Sequence, residues 1–344
     1  MAARLALGLV GVGRIGAFHA QTLLALEDVS SVTIADADPA RARRVATELG
    51  VGAAETPEVL VDAGIDALVI ATATPGHATL LRLAAQAGLP AFCEKPVALD
   101  LPTMDSVRDE AEKAGILVQV GFQRRFDAGY KAAHEAVATG GVGDILVMRA
   151  ATHDPFSPPA EYIAASGGIF CDLHIHDFDA VRFVSGEEIT EVYADGVALD
   201  APWVNELDDV DVAAAILRLS GGGLVLVSGT RRDPLGYDVR LEVFGTGDSI
   251  VVGQDARSPI RSVELDAKPR RDSAYRDFWD RFEPAYRNEL AVFVETVRTG
   301  APSLCSLEEA RSALAIALAA ELSRAERRPI SIEEVELAQA PPNG

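Results

Sequence analysis

Two short stretches of the chain hold side chains whose types and spacing suit proton transfer. The first is Cys93-Glu94-Lys95-Pro96, a charged pair closing an apolar run. At the carboxyl end of a parallel strand, where ligands of α/β sheets bind, Lys95 would hydrogen-bond a reacting hydroxyl and stabilise negative charge on its oxygen. For the dipeptide alone, a solvated Glu–Lys pair is the competing reading. The second stretch runs Ser166-Gly167-Gly168-Ile169-Phe170-Cys171-Asp172-Leu173-His174-Ile175-His176-Asp177-Phe178-Asp179. On a helix starting near Phe170, Asp172, His176 and Asp179 fall at i, i+4 and i+7 on one face, and His174 points elsewhere. A histidine beside carboxylates suits a general base near neutral pH. A structural His–Asp pair is the bland alternative. Two histidines and three aspartates within eight residues also raise a metal site. His174 and His176, however, diverge by about 200° on a helix, so no metal is expected.

A third motif supplies the place for a redox partner. Gly11-Val12-Gly13-Arg14-Ile15-Gly16 follows the apolar run Leu5 to Val10, and Asp36 lies twenty positions beyond Gly16. Gly11 permits the tight turn, Gly13 lets a pyrophosphate approach the backbone, and Gly16 lets the next helix pack on the sheet. The helix N-terminus would hold the anion. Asp36, closing the segment Ser31 to Ala35, would accept hydrogen bonds from the adenosine ribose and repel a 2′-phosphate. The expected cofactor is therefore NAD, with NADP less favoured; Arg41, Arg43 and Arg44 keep dual use open.

These motifs must be positioned by alternating elements. Strand candidates Leu5 to Val10, Val32 to Ala35, Asp66 to Ala71, Pro90 to Cys93 and Ile116 to Gly121 are separated by helical segments. That alternation predicts a doubly wound parallel sheet. Beyond Gly121 the pattern changes to strands in close succession: Asp144 to Ala151, Ile189 to Val197, Val210 to Ser220, Leu224 to Arg231, Asp238 to Gly245 and Ile250 to Gly253. They predict a large, mainly antiparallel open sheet in an α+β domain. Helices are expected at Tyr130 to Ala138, Phe170 to Val184, Tyr275 to Arg298 and Leu307 to Arg324.

The 344 residues suit two domains, and 49% hydrophobic residues supply sizeable cores. A formal charge of −21 argues against nucleic-acid or anionic-membrane partners. Neither a signal-peptide pattern nor a membrane-length apolar run stands out, and three scattered cysteines make no disulfide framework. The expectation is a cytoplasmic protein.

With these residues in hand, the chain resembles the Gfo/Idh/MocA family of sugar and polyol oxidoreductases. The resemblance rests on Gly11 to Gly16 with Asp36, on Ala71-Thr72-Ala73-Thr74-Pro75-Gly76-His77, on Glu94-Lys95-Pro96, and on Gly167-Gly168 leading to Asp172 and His176. Gly121-Phe122-Gln123-Arg124-Arg125-Phe126-Asp127 looks like the family's crossing segment between domains. His153-Asp154-Pro155, Glu161-Tyr162, Ile175 to Asp179 and Arg281 to Tyr286 make it most similar to the inositol 2-dehydrogenase branch.

The resemblance implies a catalytic trio of Lys95, Asp172 and His176 around one substrate hydroxyl. It adds Asp154 and Tyr237 as substrate contacts, with a core aromatic as the alternative for Tyr237. Ala71, Thr72, Thr74, His77 and Glu94 join Gly11, Gly13, Arg14, Ile15, Gly16 and Asp36 at the cofactor. The implied division is residues 1–122 as the NAD-binding Rossmann domain and 123–335 as a substrate-binding and oligomerisation domain. Helix 307–324 is expected to pack back on the first domain, and 336–344 to form a flexible tail. The implied activity is NAD-dependent oxidation of a cyclic polyol, myo-inositol to its 2-keto form, by a homotetramer. Alternatives are scyllo-inositol or a pyranose as substrate and, in another class, a non-catalytic dinucleotide-binding regulator. Against the last stand intact Lys95, Asp172 and His176.

Overall fold

The computed structural model describes residues 4–266 and 273–339. By internal contacts the chain divides into two units, Met1–Gln123 with Pro284–Arg311, and Arg124–Glu283 with Ser312–Gly344.

In the first unit, β1 (Leu5–Val10), β2 (Val29–Ala35), β3 (Gly52–Ala53), β4 (Ala67–Ile70), β5 (Ala91–Glu94) and β6 (Val118–Gly121) form one parallel sheet ordered β3-β2-β1-β4-β5-β6. β4 and β5 are buried along their whole length, which is why they read as unbroken apolar runs. The two-residue β3 has no such run and left no trace in the pattern. Helices α1 (Arg14–Leu24), α2 (Pro39–Leu49), α3 (Pro57–Asp62), α4 (His77–Ala87) and α5 (Leu101–Ala114) alternate with the strands. Their ends follow the side-chain chemistry. Asp38 and Asp100 cap α2 and α5, and Gly50, Gly88 and Gly115 close α2, α4 and α5 in left-handed conformation. The strand order reverses between β1 and β4, which opens the crevice where such sheets hold ligands.

The core of this unit is not built from its N-terminal residues alone. Leu7, Leu9, Ile34, Val69 and Phe92 pack with Leu290, Phe293 and Val294 from the returning segment.

The second unit holds α6 (Ala128–Ala138), α7 (Ala160–Ser166) and α8 (Ile175–Ser185), with a wide π-helical turn over Phe170–His174 leading into α8. Its sheet comprises β7 (Ile145–His153), β8 (Ile189–Val197), β9 (Val212–Leu219), β10 (Leu224–Thr230), β11 (Asp238–Gly245), β12 (Ser249–Val252) and β13 (Ile330–Ser331), ordered β12-β11-β7-β10-β9-β8-β13. β7 and β10 run parallel and the other pairs antiparallel. Burial alternates along β9 and β10: Leu217, Leu219, Val225 and Val227 face the core, while Ile216, Leu224 and Leu226 remain exposed.

Of the three C-terminal helices, α9 (Phe278–Thr299) and α10 (Leu307–Glu326) lie where the sequence places helices, and a third was not expected. The segment belonging with the first unit is Pro284–Arg311, most of α9 and the start of α10. Residues 307–311 of α10 group with the first unit and 312–326 with the second. The Ser323 hydroxyl near its end accepts the Ala194 N–H of β8 at 2.9 Å, and β13 then pairs with β8. The expected tail is not loose from 336 onward, because α11 (Ile332–Gln339) occupies 336–339; residues 340–344 lie outside the described residues. No described helix is long and apolar enough to cross a membrane.

Candidate active site

In the first unit the glycine turn is defined by what a side chain would strike. Gly11 leaves β1 with φ +93°, and a Cβ there would lie 2.6 Å from Thr72 N; one on Gly16 would lie 1.7 Å from the Gly11 carbonyl oxygen. A Cβ on Gly13 would meet nothing within 4 Å. Gly13 is also the N-cap of α1, and no side chain caps the first amides of the helix. That is a cradle for a pyrophosphate. Arg14 is exposed and Ile15 half-buried on the first turn of α1. Asp36 is 5% exposed; its Oδ2 accepts the Val12 N–H and its Oδ1 the Asp38 N–H, both at 2.8 Å. The carboxylate is thereby fixed against the glycine turn. Arg41 lies 3.5 Å from the same carboxylate and Arg43 pairs with Glu55. These residues fit a dinucleotide with free ribose hydroxyls.

At the end of β4, Ala71 is buried, Thr72 and Thr74 half-buried, and a short 3-10 turn over Thr74–Gly76 runs into α4 at His77. His77, expected at the cofactor, faces inward instead at 1% exposure. Its Nδ1 is 2.7 Å from the Pro96 carbonyl oxygen and its Nε2 2.9 Å from that of Thr72. Burial lowers its pKa below the ordinary histidine value, against the opposing pull of the two carbonyls and Glu94. His77 thus braces the loop after β4 against the peptide that follows Lys95. Glu94 also points into the protein. Its Oε1 lies 2.7 Å from Nε2 of the fully buried His19 on α1. Lys95 is half-buried between the buried Glu94 and Pro96, and the Lys95–Pro96 peptide is cis.

In the second unit every residue from Ile169 to Arg182 is buried except Asp172 and His176, which are half-buried. These two partly exposed residues lie about one turn apart, on the π-helical turn and the start of α8. Asp179, expected on their face, is fully buried and chelated by the Arg125 guanidinium at 2.7 to 3.0 Å. The wider turn before α8 breaks the simple helical spacing that grouped them. Asp177 and His174 belong to a buried network: Arg124 and the Thr152 hydroxyl donate to Asp177 Oδ1, and His174 Nδ1 lies 2.8 Å from Oδ2. Burial opposes ionisation of Asp177, yet Arg124 and the His174 hydrogen bond hold its carboxyl at about 2. Among the described residues no cluster of His, Cys, Asp or Glu is arranged to hold a metal ion.

Asp172 is held by two residues that the sequence did not single out as its partners. The Tyr162 hydroxyl donates to Oδ1 at 2.8 Å and Arg231 Nη1 to Oδ2 at 3.1 Å. Asp154 is half-buried at the end of β7, its N–H bonded to the Thr230 carbonyl. Tyr237 is 6% exposed, edge-on to Phe282 at 6.3 Å. Burial, then the Asp154 and Asp177 charges, push its hydroxyl above the ordinary tyrosine range despite Arg124. Sequence reasoning quoted Tyr162 and Arg124 without giving them a role in the site, and missed Arg231 and His19. For Arg231, the signal available was two consecutive arginines, Arg231-Arg232, ending a strand in so acidic a chain.

The comparisons with known proteins decide the family. A model described as oxidoreductase family, NAD-binding Rossmann fold, matches residues 5–122, and the GFO/IDH/MocA C-terminal domain matches 130–251. The chain belongs to the Gfo/Idh/MocA family of oxidoreductases. Its first unit is the family's NAD-binding domain, and NAD is its cofactor. Among similar members of the Gfo/Idh/MocA family, myo-inositol 2-dehydrogenase of Thermotoga maritima is 37% identical over 96% of this chain and 99% of that protein. A scyllo-inositol 2-dehydrogenase (NAD(+)) of Bacillus subtilis is 36% identical over 94% of this chain and 95% of that protein. The crystal structure of scyllo-inositol dehydrogenase from Lactobacillus casei with bound NAD(H) and scyllo-inositol superposes with a TM-score of 0.87 at 26% identity, covering 96% of this chain and 99% of that one.

Proposed function

We propose that this chain oxidises a secondary hydroxyl of an inositol, with myo-inositol going to 2-keto-myo-inositol. The observation that carries the reading is the accessibility of Asp172 and His176 in a segment otherwise buried from Ile169 to Arg182. The named inositol dehydrogenases that the chain matches nearly end to end support the substrate class. NAD supplies the hydride acceptor when bound. His176 removes the hydroxyl proton as the C=O bond forms, Asp172 stabilises the resulting imidazolium, and Lys95 hydrogen-bonds the reacting oxygen. Gly11, Gly13, Arg14, Ile15, Gly16, Asp36, Ala71, Thr72 and Thr74 hold the dinucleotide, with Glu94 and His77 behind them. Asp154 and Tyr237 receive the ring hydroxyls, and the Asp154 carboxylate disfavours a phosphorylated sugar.

The relatives' names also favour scyllo-inositol as a second substrate. NADH formation followed by absorbance over a panel of inositols and aldoses tests both. Turnover fastest with myo-inositol is expected; turnover with aldoses alone would overturn the reading. Lys95→Ala should lower kcat by about 10²- to 10⁴-fold with NAD binding retained; full activity in that variant would remove Lys95 from the mechanism. We further place the protein in the cytoplasm, as a homotetramer associating through the open face of the second unit's sheet. Tyr193, Ile216, Leu224, Leu226 and Val251 lie exposed on its strands.

A further inference from the structure

Arg231, directly after β10, is among the largest fully buried side chains of the protein. Its Nη1 donates to Asp172 Oδ2 at 3.1 Å, and its Nη2 to Asp209 Oδ2 at 3.4 Å. The other oxygen of Asp172 accepts the Tyr162 hydroxyl at 2.8 Å. Asp209 is itself anchored, because its Oδ1 accepts the Ile169 N–H at 2.9 Å. That amide follows Gly168, which has φ +84° and whose Cβ would lie 3.2 Å from the same Asp209 oxygen. The Arg231 main-chain N–H is fixed to the Asp211 carbonyl at 2.8 Å. A guanidinium held from both ends therefore reaches one residue that the reaction uses.

We propose that Arg231 is a positioning residue that locks Asp172 as an anion with both oxygens engaged, so that Asp172 supports positive charge on His176 and takes no proton itself. This rests on the polyol reading above. The physical basis is that a guanidinium does not deprotonate in proteins, and that charge-assisted donors favour the ionised form of the acceptor. Burial works against the Arg231 charge, and Asp172 and then Asp209 more than restore it. The arrangement divides the labour of the site. His176 is left to move the proton, and Asp172 supplies a fixed charge. It also gives Gly168 a physical reason: a side chain there would press on the oxygen that steadies Asp209, and through it Arg231. Because Arg231 is engaged by two carboxylates, it is not an anchor for a substrate phosphate.

The test compares Arg231→Gln, Arg231→Lys and Asp209→Asn with the unaltered holoenzyme, measuring kcat and KM for myo-inositol from about pH 5 to pH 10, with NADH binding by fluorescence. Loss of the guanidinium leaves Asp172 close to Asp209 without the intervening cation, so protonation sets in at higher pH. Arg231→Gln should lower kcat about tenfold or more and move the acid limb of its pH profile upward by roughly one unit, with NADH affinity unchanged. Arg231→Lys should return the limb toward its original position, and Asp209→Asn should fall between. An acid limb unmoved in Arg231→Gln overturns the proposal even where kcat falls, since a merely structural loss lowers the rate alike at every pH. A second arm needs no turnover. Thermal unfolding of Arg231→Gln, Asp172→Asn and the double variant should be non-additive, because removing the carboxylate relieves the unpaired charge left by losing Arg231. Additive changes in Tm overturn the lock. Were the unaltered chain to reduce NAD with none of the inositols while this coupling appeared, the polyol reading would fall and the Asp172–Arg231 lock would stand.

Discussion

Gly13 and Gly16 sit three residues apart and answer to different demands. A methyl on Gly16 would occupy space already filled by the Gly11 carbonyl, 1.7 Å away, whereas a methyl on Gly13 meets nothing within 4 Å. Gly16→Ala should therefore lower Tm in the absence of any ligand. Gly13→Ala should leave Tm unchanged yet weaken NAD by about ten- to a hundredfold, the worth of one or two charge-assisted amide contacts; calorimetric titration beside thermal unfolding separates the two effects. The glycines and Asp36 were legible in the sequence because their roles depend on neighbours close along the chain. The partners of Asp172 and Glu94 were not. Arg231 lies 59 positions from Asp172, and His19 lies 75 from Glu94. No local spacing encodes such pairs; tertiary folding alone brings them together.

At the scale of elements, the apolar pattern located the long strands to within a few residues, as for β8 (Ile189–Val197) and β11 (Asp238–Gly245). It failed where structure departs from one period. The π-helical turn over Phe170–His174 took Asp179 away from Asp172 and His176 and gave it to Arg125. The buried network joining α8 to β7 and the crossing segment carries a cost if broken. Asp177→Asn leaves Arg124 buried beside a neutral amide and should destabilise the protein by about 3–5 kcal/mol, as measured by denaturant unfolding. Asp177 titrates at about 2, below the ordinary 3.8, so its contribution is complete above 3.8 and lost as the pH falls toward 2. His77 acts in a higher window. Its folded pKa is lowered from 6.5, so stability is present above that value and lost as the pH falls below it. His153, also lowered by burial, adds to the same slope. In His77→Gln the fall of Tm on acidification below 6.5 should be shallower than in the unaltered chain; an identical slope would show that the brace between Thr72 and Pro96 does not sense protons.

For the whole molecule, a charge of −21 keeps copies apart unless an apolar surface draws them together. The exposed row across β8, β9 and β10 is such a surface, with Ile216 at 47% and Leu226 at 42% exposure. Ile216→Glu combined with Leu226→Glu should shift sedimentation toward smaller species without unfolding either unit; an unchanged sedimentation coefficient would exclude this face as the interface.

The borrowed core of the nucleotide-binding unit sets an order of events during synthesis. Leu290, Phe293 and Val294 complete a cluster begun by Leu7 and Leu9. A ribosome must therefore translate six strands of the other unit before the last wall of the first can be delivered. Until then the nascent chain exposes the greasy patch those three residues will cover, and it depends on chaperones or on speed to avoid sticking. A message truncated after Gln123 should yield an aggregating fragment, not a small independent dinucleotide binder.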